Sequence, residues 1–193
     1  MHQQEVKQLF EKNKALLSGH FKLSSGLHSD TYFQSALILQ YPQEAEKLGA
    51  EIASLVQAAN IQIDTVISPA LGGLIIGQEV ARSLKTRALF TERIDGKVML
   101  RRGFKVEKDE RILVVEDVIT TGLSTREVIA LIQSQGAKVA AVASLVDRSA
   151  GKVDFGVPKF SLLTLEVKSY KEESCPMCQS GSSAIKPGSR KER

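Results

Sequence analysis

The chain is poor in the features that would give it an unusual architecture. It has two cysteines, Cys175 and Cys178, among 193 residues, too few for a disulfide-stapled scaffold. Its most apolar stretches, such as 139–146, fall far short of the roughly 20 residues a membrane-crossing helix needs. Its first residues, MHQQEVKQLFEKNK, are charged and contain no apolar signal core. There is no internal repeat, no collagen-like glycine period and no excess of one charge beyond a net +4. GxGxxG is absent, and so is the P-loop pattern with its lysine. These absences predict a cytoplasmic protein with no membrane partner and no mononucleotide-binding loop of the P-loop kind.

What remains is an ordinary globular composition, 42% apolar and 25% charged, enough for a real core in a single domain. The positive charge is concentrated at the end. Residues 186–193 hold Lys186, Arg190, Lys191 and Arg193 against Glu192, a net +3 of the total +4. The body is therefore near neutral, and a nucleic-acid partner is not expected.

The apolar patterning alternates between strand and helix. A helix is expected over 4–17 and another over 42–59, with Ala45, Leu48, Ile52, Leu55 and Val56 as its buried stripe. Strands are expected at 63–70, 87–92, 111–117 and 139–147, with helices at 73–84 and 123–135 between them. Runs apolar on both faces and separated by helices predict an α/β fold, a parallel sheet flanked by helices. Asp95-Gly96 marks a hairpin or flap, and 160–167 reads as a late strand at an edge or in an accessory lobe.

The most informative stretch is RILVVEDVITTGLSTREVIALI (111–132). A buried strand delivers Glu116 and Asp117, a turn of small and hydroxyl residues follows, and a helix begins. A helix N-terminus behind a glycine turn attracts phosphate, and paired carboxylates suit the hydroxyls of a sugar. The order acid pair, then phosphate cradle, describes a site for a phosphorylated sugar.

VVEDVITTGLST resembles the phosphoribosyl pyrophosphate signature of the type I phosphoribosyltransferases, and the resemblance spans about 60–147. GHFKLSSGLHSDTYFQ (19–34) resembles the orotate-site motif of the orotate phosphoribosyltransferase branch, and SLVDR (144–148) its base-binding strand end. CPMCQSGSSAIKPGSR (175–190) resembles the C-terminus of one bacterial and archaeal group within it. The resemblance implies a phosphoribosyl pyrophosphate site made of Glu116, Asp117, Val118, Ile119, Thr120, Thr121, Gly122, Leu123, Ser124 and Thr125, with Ala70, Leu71 and Gly72 at the pyrophosphate. It implies orotate contacts from Thr120, Arg148, Ser24, Ser25 and Gly26, and catalytic cations on a flap at Arg93, Arg101 or Arg102. It further implies orotate and phosphoribosyl pyrophosphate as substrates and magnesium carried by substrate and water rather than by protein ligands. A homodimer is implied too, with a core at about 60–150, a hood from about 18–40 and 153–170, and a tail at 172–193.

Departures from the family pattern concern particular residues. Leu71 and Gly72 stand where many relatives have an aromatic residue and a lysine, and Ser24 where many have a lysine. The flap ERIDGKVMLRRGFK (92–105) contains no histidine. Another base, or a ligand-sensing regulator on the same fold, is the alternative. Tyr32 and Phe33 are open to packing on the base or in the core. For His28, a bond to the base is open, and a loop position satisfied by backbone is the expectation. Cys175-x-x-Cys178 has the spacing of half a zinc site with no second cysteine pair, so two free thiols are expected.

Overall fold

The computed structural model describes residues 1–23 and 25–187. Ser24, one of the expected orotate contacts, and the basic residues 190, 191 and 193 lie outside them.

The core is a six-stranded sheet in the order β5-β4-β3-β6-β7-β8. Its strands are β3 (Thr65–Pro69), β4 (Arg87–Ile94), β5 (Lys97–Leu100), β6 (Arg111–Ile119), β7 (Lys138–Asp147) and β8 (Lys159–Thr164). All neighbours are parallel except β4 and β5, which form an antiparallel hairpin at one edge. That hairpin turns at Asp95 and Gly96, both with positive φ (48° and 79°), the geometry Asp-Gly favours.

Helices cover both faces. α1 (Gln3–Lys12), α3 (Pro42–Ala58) and α4 (Gly73–Leu84) share one apolar cluster with Leu113 and Val115. α5 (Leu123–Ser134) packs Val128, Ile129 and Ile132 against Ile112 and Val114 on the opposite face. Ile112 to Val115 are 0% exposed, which is why this strand reads as an unbroken apolar run rather than an alternating one. A short helix, α2 (Ala36–Leu39), leads into α3.

Above the sheet lies a two-stranded antiparallel hood, β1 (Leu16–Lys22) with β2 (His28–Phe33). The C-terminal segment, including the four-residue α6 (Pro176–Gln179), docks on it. Tyr170 pairs with His28 and Ile185 with Phe21.

Two expectations are corrected and one choice is resolved. The first helix stops at Lys12, because Lys14 takes a left-handed turn (φ 55°) and Leu16 and Leu17 begin β1. Of the two places open to the late strand, the edge holds and the hood does not: residues 159–164 form an edge strand of the core sheet, buried through Leu162 and Leu163 and tied to β7 by Ser144 and Ser161 hydroxyls 2.8 Å apart. The C-terminal segment is fastened to β1 by backbone pairing at Ile185. Leu55 is 39% exposed; Ala53 takes the buried place on α3.

Close approach of α3 and α4 depends on Gly49. A Cβ there would stand 2.6 Å from Glu79 Cβ and 2.8 Å from its carbonyl carbon. Alanine gains about 1 kcal/mol of helix propensity over glycine, whereas overpacking costs about 1–3 kcal/mol. Gly49→Ala is therefore expected to lower the urea midpoint. A raised midpoint would show that the helices part freely.

Candidate active site

The chain runs from β3 through α4 to β4 on one side, then returns to place β6 on the other side of β3. The parallel strands end at the same edge, and a crevice opens where the order reverses. Two loops flank it, residues 70–72 after β3 and 120–122 after β6.

Glu116 and Asp117 are adjacent on β6, so strand alternation aims them apart. Glu116 turns toward α5, where Ser124 Oγ donates to its Oε1 at 3.3 Å. Its Oε2 is buried without a hydrogen-bond partner among the described residues. Burial, helped by the neighbouring Asp117 charge, pushes the Glu116 carboxyl up to about 8. Asp117 turns toward the loop after β3, and burial raises it as well. A Cβ on Gly72 would come within 2.6 Å of Asp117 Oδ1, so only glycine lets that loop lie against the carboxylate. Desolvation thus raises both carboxyls of the pair, and each one's charge opposes the other's ionisation.

The phosphate cradle is local. Gly122 is left-handed (φ 76°) and caps α5, and a Cβ there would strike Val153 and Phe155 at 2.7 and 2.9 Å. The first N–H groups of α5 consequently face the turn, as anion-binding helix starts do. Thr120, Thr121 and Leu123 are exposed at its mouth, and Thr121 Oγ1 accepts from Leu123 N–H at 3.4 Å. Thr125 is fully buried, and its hydroxyl has no partner among the described residues. Val118 and Ile119 belong to β6 rather than to the turn. Ile119 is 1% exposed in the core and Val118 packs on the other cluster, so only their backbone remains at the site.

In the loop after β3, Ala70 N–H donates to Thr91 O at 2.9 Å, continuing the ladder with β4. Leu71 and Gly72 are left as donors for a ligand, and the Leu71 side chain is 82% exposed. The Ala70–Leu71 peptide is cis.

Between the phosphate turn and the hood lies a cavity of about 460 Å³. Thr120, Thr121 and Arg148 form its floor, Ser25, Leu27 and Tyr32 its hood side, and Val167 and Ser169 its third wall. Arg148 does not pair with its neighbour. Asp147 is fully buried and held by Lys159 Nζ at 2.6 Å and by Ser149 Oγ at 2.6 Å. Arg148 instead leans over the Phe33 ring (6.0 Å) and reaches Ser29 Oγ at 3.5 Å. Its Nε is buried without a partner among the described residues, and burial pulls the guanidinium below its ordinary value. Tyr32 lines the cavity, while Phe33 faces the core against Phe10. Ser25 lines the cavity as expected, and Gly26 (φ 83°) forms the turn beside it.

The flap cations stand elsewhere. Arg93 pairs with Glu127 of α5 and donates to Gly96 O at 2.7 Å. Arg102 binds Glu92 at 2.7 Å and Arg101 reaches the same carboxylate at 3.5 Å. None is among the residues lining the cavity of its own chain: Arg101 and Arg102 turn onto Glu92 of the hairpin and Arg93 onto Glu127 of α5.

A sheet edge of this kind, with paired carboxylates before a glycine turn and a helix start, is the arrangement expected of the type I phosphoribosyltransferase class. The phosphoribosyl transferase domain family matches residues 35–173. An orotate phosphoribosyltransferase from Carboxydothermus hydrogenoformans is 55% identical over 187 residues, 97% of this chain and 98% of that one. The crystal structure of orotate phosphoribosyltransferase from Aeropyrum pernix superposes with a TM-score of 0.70 at 28% identity, covering 83% of this chain and 94% of that one. The chain belongs to the orotate phosphoribosyltransferase family. An adenine phosphoribosyltransferase from Thermoanaerobacter pseudethanolicus shares the fold at a TM-score of 0.61 and 15% identity, covering 70% and 88%, so the fold alone does not choose the base.

The raised Glu116 carboxyl has a consequence for stability. In the unfolded chain it titrates near 4.5, and in the folded chain near 8. Between these values the folded protein retains a proton the unfolded chain has released, so stability falls as pH rises across the window. Glu116→Gln removes that loss. In ligand-free protein the melting temperature of the variant is expected to match wild type near pH 4.5 and to exceed it by several degrees above pH 8. A difference that stays flat with pH, measured by calorimetry, would refute the assignment.

Proposed function

We propose that this chain transfers the 5-phosphoribosyl group from phosphoribosyl pyrophosphate to orotate, giving orotidine 5′-monophosphate and pyrophosphate, a step of pyrimidine nucleotide synthesis. The carrying observation is Arg148. A half-buried guanidinium, its Nε buried with no partner among the described residues, lines a cavity beside the phosphate turn, and orotate is a flat base bearing a carboxylate. A base without one would leave that cation without a direct counter-charge in the cavity.

The division of labour follows from position. The α5 start and Thr121 to Thr125 hold the 5′-phosphate. Glu116 and Asp117 accept from the ribose hydroxyls and hold the ring while positive charge develops at C1. The Leu71 and Gly72 N–H groups receive the leaving pyrophosphate, without the lysine many relatives place there. Thr120 and Arg148 orient orotate, with Tyr32 against its face and Ser25 above. Magnesium fits this donor set, because the unpartnered Glu116 Oε2 is a hard oxygen at the ribose side. When bound through substrate oxygens and water, the ion neutralises charge on the pyrophosphate. The cytoplasm is the compartment we assign, and two unbridged thiols agree with it.

Offered orotate, uracil and hypoxanthine in turn with phosphoribosyl pyrophosphate and magnesium, the protein should consume orotate alone. Turnover of uracil or hypoxanthine without orotate would reassign the base. Arg148→Ala should lower kcat/KM for orotate by about 10- to 1000-fold, the range for losing a charge-assisted hydrogen-bonded pair. Unchanged orotate kinetics would remove Arg148 from the site.

We further assign a homodimer in which the flap serves the neighbouring site. Ile94 and Met99 are exposed on the hairpin, and none of the three flap arginines lines its own cavity. Arg93→Ala and Arg148→Ala proteins, each impaired alone, should regain activity when mixed, since one hybrid site then has both arginines. No recovery after demonstrated subunit exchange would place the flap's function within its own chain or remove it.

A further inference from the structure

The hood contains a cluster that the phosphoribosyl chemistry does not use. His20 on β1, His28 on β2, and Cys175 and Cys178 at the start of α6 each aim one ligand atom at a common point, all within 4.8 Å of one another. Three of the four residues are buried and Cys178 is partly so. The second half of the cysteine motif is therefore present after all. It consists of histidines some 150 positions away in the chain, which is why no second cysteine pair is needed. His28 is neither a base contact nor a backbone-satisfied loop residue.

The contacts have the scale of a coordination sphere. Cys178 Sγ lies 3.2 Å from His28 Nδ1 and 3.7 Å from His20 Nε2. Cys175 Sγ lies 3.5 Å from His20 Nε2, and the two ring nitrogens are 2.9 Å apart. Ligands around a tetrahedral zinc, with Zn–S near 2.3 Å and Zn–N near 2.0–2.1 Å, stand roughly 3.3–3.8 Å from one another. The two imidazoles touch somewhat more closely, and seating an ion between them needs only a few tenths of an ångström of movement.

The surroundings favour a metal over a set of neutral hydrogen bonds. His20 Nδ1 faces Ser182 O at 3.1 Å, and a carbonyl can only accept, so Nδ1 carries the proton and Nε2 presents its lone pair to the cluster. His28 turns Nδ1 inward; its Nε2 is buried with no hydrogen-bond partner among the described residues, and the Glu172 carboxylate stands 3.9 Å away. A carbonyl accepting from the outer ring nitrogen, as at His20, is what metal-bound histidines use to fix tautomer and orientation. Two thiols and two imidazoles select zinc over magnesium or calcium, and four protein ligands leave no open position for catalysis.

We propose that His20, His28, Cys175 and Cys178 bind one structural zinc ion that clamps the C-terminal segment to the hood. His20 and His28 flank the connection from β1 to β2, from which Leu23, Ser25 and Leu27 line the cavity, so the ion fixes both ends of the wall above the base. Binding converts two thiols to thiolates and releases their protons to solvent. The site does not depend on which base the enzyme takes.

The test uses untagged full-length protein, so that no added histidines compete. Elemental analysis after exhaustive dialysis against metal-free buffer should find one zinc per chain. Replacement by cobalt should give the intense visible bands of a tetrahedral site and a thiolate-to-cobalt charge-transfer band. Metal-free protein that takes up no cobalt, or a Cys175–Cys178 disulfide in freshly purified protein, would overturn the proposal. Cys178→Ser and His28→Gln should each abolish stoichiometric zinc while circular dichroism keeps the core signature. Full retention of zinc by both would also overturn it. Should either variant fail to fold, chelation of wild type supplies the second reading. Removing zinc should speed amide exchange in 16–33 and 170–185 at least about tenfold and leave β6 and β7 protected. Unchanged exchange in those segments would refute the clamp.

Discussion

The site depends on β6 being covered on both faces. Because helices pack against each side, Ile112 to Val115 are completely buried and the strand has no freedom of register or tilt. Its last residues leave the core at a fixed point, directly before a helix whose start is fixed by the same packing. The same burial makes two adjacent carboxylates costly to ionise. The acid pair is therefore rigid and electrostatically unsatisfied at once, a condition relieved by hydroxyl donors and by the cation that accompanies a polyphosphate.

Charge is handled in opposite ways across the crevice. On the side of the acid pair, anionic groups are concentrated and desolvated, and the neighbouring turn offers a phosphate backbone N–H groups rather than lysines. On the base side, one arginine is desolvated, and its nearest acid in sequence is withdrawn by Lys159 and Ser149. Had Asp147 remained free to pair with Arg148, the cavity would present a neutral ion pair to the base. The lysine that removes it comes from β8, so the edge strand of the core decides the electrostatics of the base pocket.

Much of this was legible in the sequence because it is local. The turn from β6 into α5 occupies one uninterrupted stretch, and its strand, acids, glycine and helix start all follow from short-range rules. The helix at 73–84 has the bounds its periodicity predicts. The misses are contacts between distant positions. Edge and lobe both stayed open for β8, because its partner β7 ends a dozen residues earlier and nothing local says which sheet a strand will join. The flap arginines looked available because Glu92 and Glu127 become their partners only through the hairpin's fold against α5. His20 and His28 looked unrelated to the cysteines for the same reason.

This difference separates the two halves of the site in physical kind. The phosphoribosyl half is made of elements adjacent in sequence and braced by two cores. The base half rests on a two-stranded hood, and an isolated pair of strands is marginal in water. What holds it is a segment from the far end of the chain, through the Tyr170 and Ile185 bridges and the His–Cys cluster. The groups that line the base cavity come from both halves, Thr120 and Arg148 from the core and Ser25, Leu27 and Tyr32 from the hood. The hood side is braced by the apolar burial of Phe21 and Phe33 and by backbone pairing with the C-terminal segment, so residues that do not line the cavity hold in place the ones that do.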